Sequence, residues 1–329
     1  MATVNAVTDL ATFLAVYAFK SIPTYAADIP PRNLFSLNMD DSVGTVGQQV
    51  VTRVPISIFA TTANNLANGW GNLAPTSSNV TTTLQAKGYD HLFNVVSWDT
   101  IGESQLVNTF AGILQKQTAN AIFVDAANLV TSSNYTNTVT VGSSSLFSLT
   151  GSSGLQGIGT TMDNLELPQV DRYALLNPTA YQGLISNIYQ TYVLGNDRAV
   201  VGNGFAGDSD KNQAWPGLDI AGFDVFKSPR INTNTALTPY GGAKYSSGNV
   251  LAGWAGVPSG LVLAARSFEL APSPLMATIP VIEPTSGFPL TYMLSFDPSL
   301  PGWRIGVYSL YGVSVANANA IVPILSATT

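Results

Sequence analysis

Chemistry needs particular residue types within reach of one another, and this sequence of 329 residues offers few of them. It has one histidine, His91, and no cysteine. A Ser-His-Asp hydrolase would have to run all its base chemistry through His91, and no G-x-S-x-G nucleophile elbow occurs in the chain. His91 follows Asp90 in a stretch read as part of a hairpin, so a surface position is expected. The absence of thiols excludes disulfides and thiolate metal sites and leaves the redox compartment unread. Asp40 and Asp41 are adjacent, so in an extended strand they point to opposite faces and make a poor acid–base pair.

Two motifs come nearer to ligand chemistry. The stretch GNGFAG (Gly202–Gly207) matches G-x-G-x-x-G. A dinucleotide fingerprint also requires a helix to open there and face the pyrophosphate, and the polar DSDKNQAWPG follows instead. A loop is the expectation. The stretch DSDKN supplies Asp208, Asp210 and Asn212 at the opening spacing of a calcium loop. Gln213 stands where the sharp turn needs glycine, and Asp219 stands where a bidentate glutamate is usual. No catalytic, cofactor-binding or metal-binding residue is assigned, and no cofactor or enzymatic activity is expected.

Composition says more. Hydrophobic residues make up 46% of the chain and charged residues only 10%, against about 25% charged in a typical soluble domain. Serine, threonine, asparagine and glycine must supply much of the polar surface, which offers little charge repulsion against self-association. A net charge of −6 with no basic run argues against tight, sequence-independent nucleic-acid binding. No stretch has the apolar length of a membrane-spanning helix.

The elements that would carry such a surface follow from periodicity and punctuation. Leu10, Phe13, Leu14 and Tyr17 fall at helical spacing, so the N-terminal segment reads as an amphipathic helix rather than a signal sequence. The segment SIPTYAADIPPRN is expected to end it. Residues 43–60 read as an extended strand, 61–79 as a polar tip, and VTTTLQAKGYDHLFNVVSW as a returning pair of short strands around Lys87-Gly88, together a projecting hairpin. Thr100 and Glu103 form a capping-box pattern ahead of a helix to about Leu129, with Leu106, Phe110, Ile113, Leu114, Ala121 and Val124 near one face. At 1.5 Å per residue that helix would be roughly 40 Å long. A Ser/Thr/Gly-rich stretch follows, then a helix over Leu155–Leu165. Tyr173–Leu176 reads as a strand broken by Asn177-Pro178, and Ala180–Ser186 as a helix. A short strand in IAGFDVFKSPRI ends at Ser228-Pro229. Two strands then flank a Pro/Gly turn at Asp297–Gly302, and a short apolar strand comes after them.

In this order the stretches GTVGQQVVTRVP, VTTTLQAKGYDHLFNVV, DRYALLNPTAYQGL, IAGFDVFKSPRI and WRIGVYSLYGVSVANANAIVPIL resemble the major capsid proteins of tailed bacteriophages, in particular the P22-type coat-protein branch of the HK97-like fold. The resemblance runs through nearly the whole chain. It implies an α+β fold with residues 1–30 as an N-terminal arm and 31–99 as an extended loop with flanking strands. Residues 100–135 would hold the spine helix of a peripheral domain, 136–284 mainly an axial domain, and 285–329 C-terminal strands returning through both. The chain is short for the inserted β-domain that such coat proteins often carry.

The function implied is a coat protein that self-assembles as hexamers and pentamers into an icosahedral shell, assembled in the host cytoplasm and resident in the virion capsid. Its partners would be further copies of itself, portal and scaffolding proteins, and enclosed double-stranded DNA bound without sequence specificity, with no membrane. Trp70, in the tip of the extended loop, is the candidate intersubunit anchor. An encapsulin-type shell around protein cargo and a secreted β-rich adhesin or lectin are the alternatives.

Overall fold

The computed structural model describes residues 6–28, 34–55, 77–94, 112–141, 154–192, 217–231, 249–269, 276–284, 286–299 and 302–327. The N-terminal periodicity does form a helix, α1 (Ala6–Asp28). It buries Phe13, Leu14, Tyr17, Ala18 and Ser21, a set spaced as one helical face. Contrary to the expected stop, α1 continues through Pro23. The carbonyl that loses its partner there belongs to Phe19, an 80% exposed residue on the solvent side of the helix, so the break is tolerated.

The second described helix, α2 (Ile113–Leu129), is 17 residues long, about 26 Å. It cannot run back unbroken through residue 112, because Gly112 has φ 112 and serves as its N-cap. The Gly112 N–H donates to the Gln115 side chain at 2.8 Å. The expected Thr100–Glu103 capping box, with Leu106 and Phe110, lies outside the described residues. The buried face also differs from the expected one: Ile113 is exposed, while Leu114, Thr118, Ala119, Ile122, Phe123, Ala126 and Ala127 are buried. Small side chains at 118, 119 and 126 let the helix approach the sheets closely. The Thr118 hydroxyl is satisfied by donating to the Leu114 carbonyl at 2.9 Å.

Two six-stranded sheets flank this helix. The first has the order β1-β10-β13-β12-β11, with β4 also on β13. Its strands are β1 (Ser36–Val43), β4 (Gln85–Asn94), β10 (Leu261–Ser267), β11 (Met276–Ile282), β12 (Pro289–Asp297) and β13 (Gly302–Val315). Asp297 and Gly302, the expected ends of a Pro/Gly turn, pair as the last residue of β12 and the first of β13. Leu310 and Tyr311 pair on both sides, with Ala86 and Gln85 of β4 and with Arg266 and Ala265 of β10. Thus β12 and β10 follow one another along one edge of β13, and β4 lines the other. The strand β4 runs straight through Lys87-Gly88 rather than breaking there. Glycine is needed for packing: a Cβ on Gly88 would stand 2.3 Å from the Tyr308 ring and 2.6 Å from the Val307 carbonyl oxygen.

The second sheet has the order β5-β14-β9-β6-β8-β7, formed by β5 (Val139–Val141), β6 (Tyr173–Leu176), β7 (Gly217–Ile220), β8 (Phe223–Lys227), β9 (Asn249–Gly256) and β14 (Ile321–Ala327). The Asn-Pro break after β6 starts α4 (Pro178–Tyr192), and α3 (Leu155–Asn164) precedes it, both as expected. The Asn177 side chain accepts from the Ala180 N–H at 2.7 Å, an N-cap bond. The stretch IAGFDVFKSPRI is the turn and second strand of a hairpin rather than a lone strand. Ala221 (φ 53) and Gly222 (φ 79) form the left-handed two-residue turn between β7 and β8.

One face of this sheet packs on α3 and α4 through Ile158, Met162, Leu184 and Phe223. Its other face joins α1, α2 and the first sheet in a common core, where Phe123 stacks on Trp254 at 5.9 Å between centroids. A third, two-stranded sheet pairs β2 (Gln49–Pro55) with β3 (Ser77–Thr83).

Candidate assembly site

The hairpin β2–β3 places its register by alternation. Val50, Thr52 and Val54 of β2 and Val80 and Thr82 of β3 are buried, while Val51, Arg53, Asn79, Thr81 and Thr83 are exposed. The buried row docks on the first sheet as two apolar clusters. One joins Val50 and Leu84 to Ala264 and Leu310, and the other joins Val54 and Val80 to Val262. The expected projecting hairpin therefore has a root fastened to its own chain; of the tip expected over 61–79, residues 77–79 belong to β3 instead, and residues 56–76 lie outside the described residues. Between the clusters, the Asn38 amide donates to Thr52 Oγ1 at 2.7 Å, and Arg266 donates to Asn38 Oδ1 at 2.9 Å.

Two other surfaces stand open. On α1, Phe19 is 80% and Val16 is 45% exposed, opposite the buried face. On the first sheet, Arg304 bridges Asp90 at 2.6 Å and Asp297 at 2.9 Å, tying β4, β13 and β12 together at a partly exposed site. The hydrogen bond that Arg304 donates to Asp297, then the Asp90 charge, push the Arg304 pKa up. On the other side of that sheet, Lys87 and Tyr311 both reach Asp125 Oδ2 of α2, at 2.5 and 2.7 Å. Burial first, then the Asp125 charge, drive the Tyr311 phenol well above its ordinary range.

The residues singled out for chemistry do not converge. His91 lies on β4 opposite Ile305, half-buried, with Phe93 edge-on at 6.4 Å. Its Nε2 is buried, away from the surface position expected for it, and has no hydrogen-bond partner among the described residues. Asp40 accepts from the Ser42 N–H at 3.2 Å at the end of β1. Gly202–Gly207, Asp208, Asp210, Asn212 and Trp70 lie outside the described residues. Among the described residues no three His, Cys, Asp or Glu side chains gather as a metal site. What the sequence reading missed is the trio Asn38, Thr52 and Arg266. The one legible signal was a single arginine in the apolar run LVLAARSF.

The chain aligns with the capsid of Ralstonia phage GP4 at a TM-score of 0.53, over 91% of this chain and 88% of that one, with 8% identical residues. The fold is the HK97-like capsid fold. The capsid of cyanophage P-SCSP1u aligns at 0.49 with 13% identity, over 90% of this chain and 88% of that one. The mature capsid of bacteriophage PhiM1 aligns at 0.47 with 10% identity, over 91% and 87%. No protein-family model and no curated protein sequence matches the chain. An HK97-like fold accounts for the α+β layout, with strands late in the sequence lying inside both sheets.

Proposed function

We propose that the chain is a major capsid protein that assembles copies of itself into an icosahedral shell around a phage genome. The observation that carries this is the fold shared with the Ralstonia phage GP4 capsid across nine-tenths of the chain. A chain with only 10% charged residues fits a subunit covered on several sides by its copies. So does an exposed Phe19 beside Val16 on α1. The subunit has no catalytic role and works by geometry, through unlike edges that close into rings and then into a curved lattice.

In finer terms, we assign the chain to the P22-type branch on the strength of the Asn177-Pro178 break and the GFDV strand. Residues 1–30 form the arm, 31–99 the extended loop, 100–135 the spine segment and 136–284 mainly the axial domain. Residues 285–329 return through both domains. Trp70 is the anchor by which the loop tip holds a neighbour, because a hairpin tip alone buries too little surface to order itself. Portal and scaffolding proteins are the expected partners, with DNA held by enclosure.

Electron microscopy of the purified protein, expressed with and without a scaffold, tests the reading. Capsomer rings or closed shells of megadalton size are expected. A chain that stays monomeric at high concentration under every salt condition overturns it.

A further inference from the structure

We propose that Arg266, Asn38 and Thr52 are positioning residues that set the angle at which the β2–β3 hairpin leaves the body of the subunit, and through it the curvature of the shell. The second half of this rests on the shell-forming role proposed above.

Arg266 is only 8% exposed. Among the described residues it forms no ion pair, and its donors go to neutral oxygens instead. These are the Asn38 carbonyl at 2.7 Å, the Ala265 carbonyl at 2.8 Å and Asn38 Oδ1 at 2.9 Å. A guanidinium only donates, so it dictates which way the Asn38 amide faces. With Oδ1 turned to Arg266, the Nδ2 group is aimed at Thr52 Oγ1, 2.7 Å away on the hairpin root. The buried cation thus fixes an amide, and the amide fixes a strand.

That bond supplies what the rest of the dock does not. Val50 and Val54 flank Thr52 in apolar clusters, and apolar contact is non-directional, so a hairpin held by it alone can rock. The hydrogen bond to Thr52 prescribes a direction. The chain also turns into the hairpin directly over the arginine: a Cβ on Gly44 would come within 2.7 Å of Arg266 Cβ and 2.8 Å of Leu310 Cδ2. Across the hairpin from Val50, Thr82 carries a buried Oγ1 with no partner among the described residues, which holds the dock below the strength a valine would give it. The root is therefore held loosely by its packing and aimed by its relay.

Three variants test this: Thr52→Val, which removes the acceptor and keeps the shape, Thr52→Ser, which restores the hydroxyl, and Thr82→Val. Amide hydrogen exchange of the unassembled chain reads the root, and microscopy of the particles reads diameter. Thr52→Val should speed exchange of residues 49–55 and 77–83 about tenfold and broaden the distribution of diameters. Thr52→Ser should return both to the parent values, and Thr82→Val should slow exchange. Unchanged exchange in Thr52→Val overturns the relay. Loosened roots with uniform particles overturn the link to curvature. A parent chain that forms no particles overturns the shell reading, and exchange still decides whether the relay holds the root.

Discussion

At the scale of residues, the buried phenols make a directional statement about pH. Tyr17, Tyr173, Tyr292 and Tyr311 are all pushed above the ordinary value of 10.0, each by burial first. A phenol whose folded pKa exceeds its unfolded one contributes stability that is complete below the unfolded value and is lost as pH climbs toward the folded one. Urea midpoints should therefore hold steady from neutral pH and fall once pH exceeds about 10. Tyr311→Phe should make that alkaline fall shallower, while costing about 1 kcal/mol at neutral pH for the bond lost to Asp125. An alkaline slope identical in the variant would rule Tyr311 out. Only Tyr17 was legible beforehand, from its helical spacing with Phe13 and Leu14; for the rest, the sequence shows thirteen tyrosines but not which of them lie in the core. Gly88 was misread for a related reason. Its need for glycine comes from a ring on β13, more than two hundred residues away, and local punctuation carries no trace of it.

At the scale of elements, α1 offers the sharpest contrast between folding and assembly. Leu14 is fully buried while Phe19 is 80% exposed on the same helix. Leu14→Ala should destabilise the subunit by about 2–5 kcal/mol through lost contact and a residual cavity. Phe19→Asp should leave the denaturation midpoint within about 0.5 kcal/mol of the parent yet reduce particle yield in sedimentation. Assembly at parental yield in Phe19→Asp would show that this face meets no neighbour. Elements with local signals were legible. The Asn177-Pro178 break, the α3 helix and the strand ends at Asp297 and Gly302 each announce themselves within a few residues. The strand β1 was not read at all, because SLNMDDSV has weak alternation and is held in place by parallel pairing with β10. The buried face of α2 was misjudged in phase: the expected face ran through Ile113, Ala121 and Val124, whereas the face packed between the two sheets runs through Thr118, Ala119, Ile122, Phe123 and Ala126.

At the scale of the whole molecule, the 32 charged residues (13 basic and 19 acidic) among 329 leave little for salt to screen. Contacts between such subunits should depend on apolar burial, which survives when the screening length shrinks to about 3 Å at 1 M salt. Light scattering should accordingly find assembled particles intact at that ionic strength, and dissolution there would show that charge pairs hold the lattice. The overall class was legible from the order of weak motifs along the chain, each uninformative alone. The docked hairpin root was not, since the valines that hold it meet strands some two hundred residues further on. That same long reach has a consequence for synthesis. The strand β13 joins β4, β10 and β12, and β14 lies between β5 and β9, yet both are supplied by residues 302–327. At about 5–20 residues per second, a ribosome needs roughly 15–60 s to reach them. Until then neither sheet can close, however long the earlier segments have been waiting. On the shell-forming role proposed above, a nascent chain is thus kept from joining a lattice before it is finished, and a product truncated ahead of β13 lacks interior strands of both sheets and should be left out of the particle.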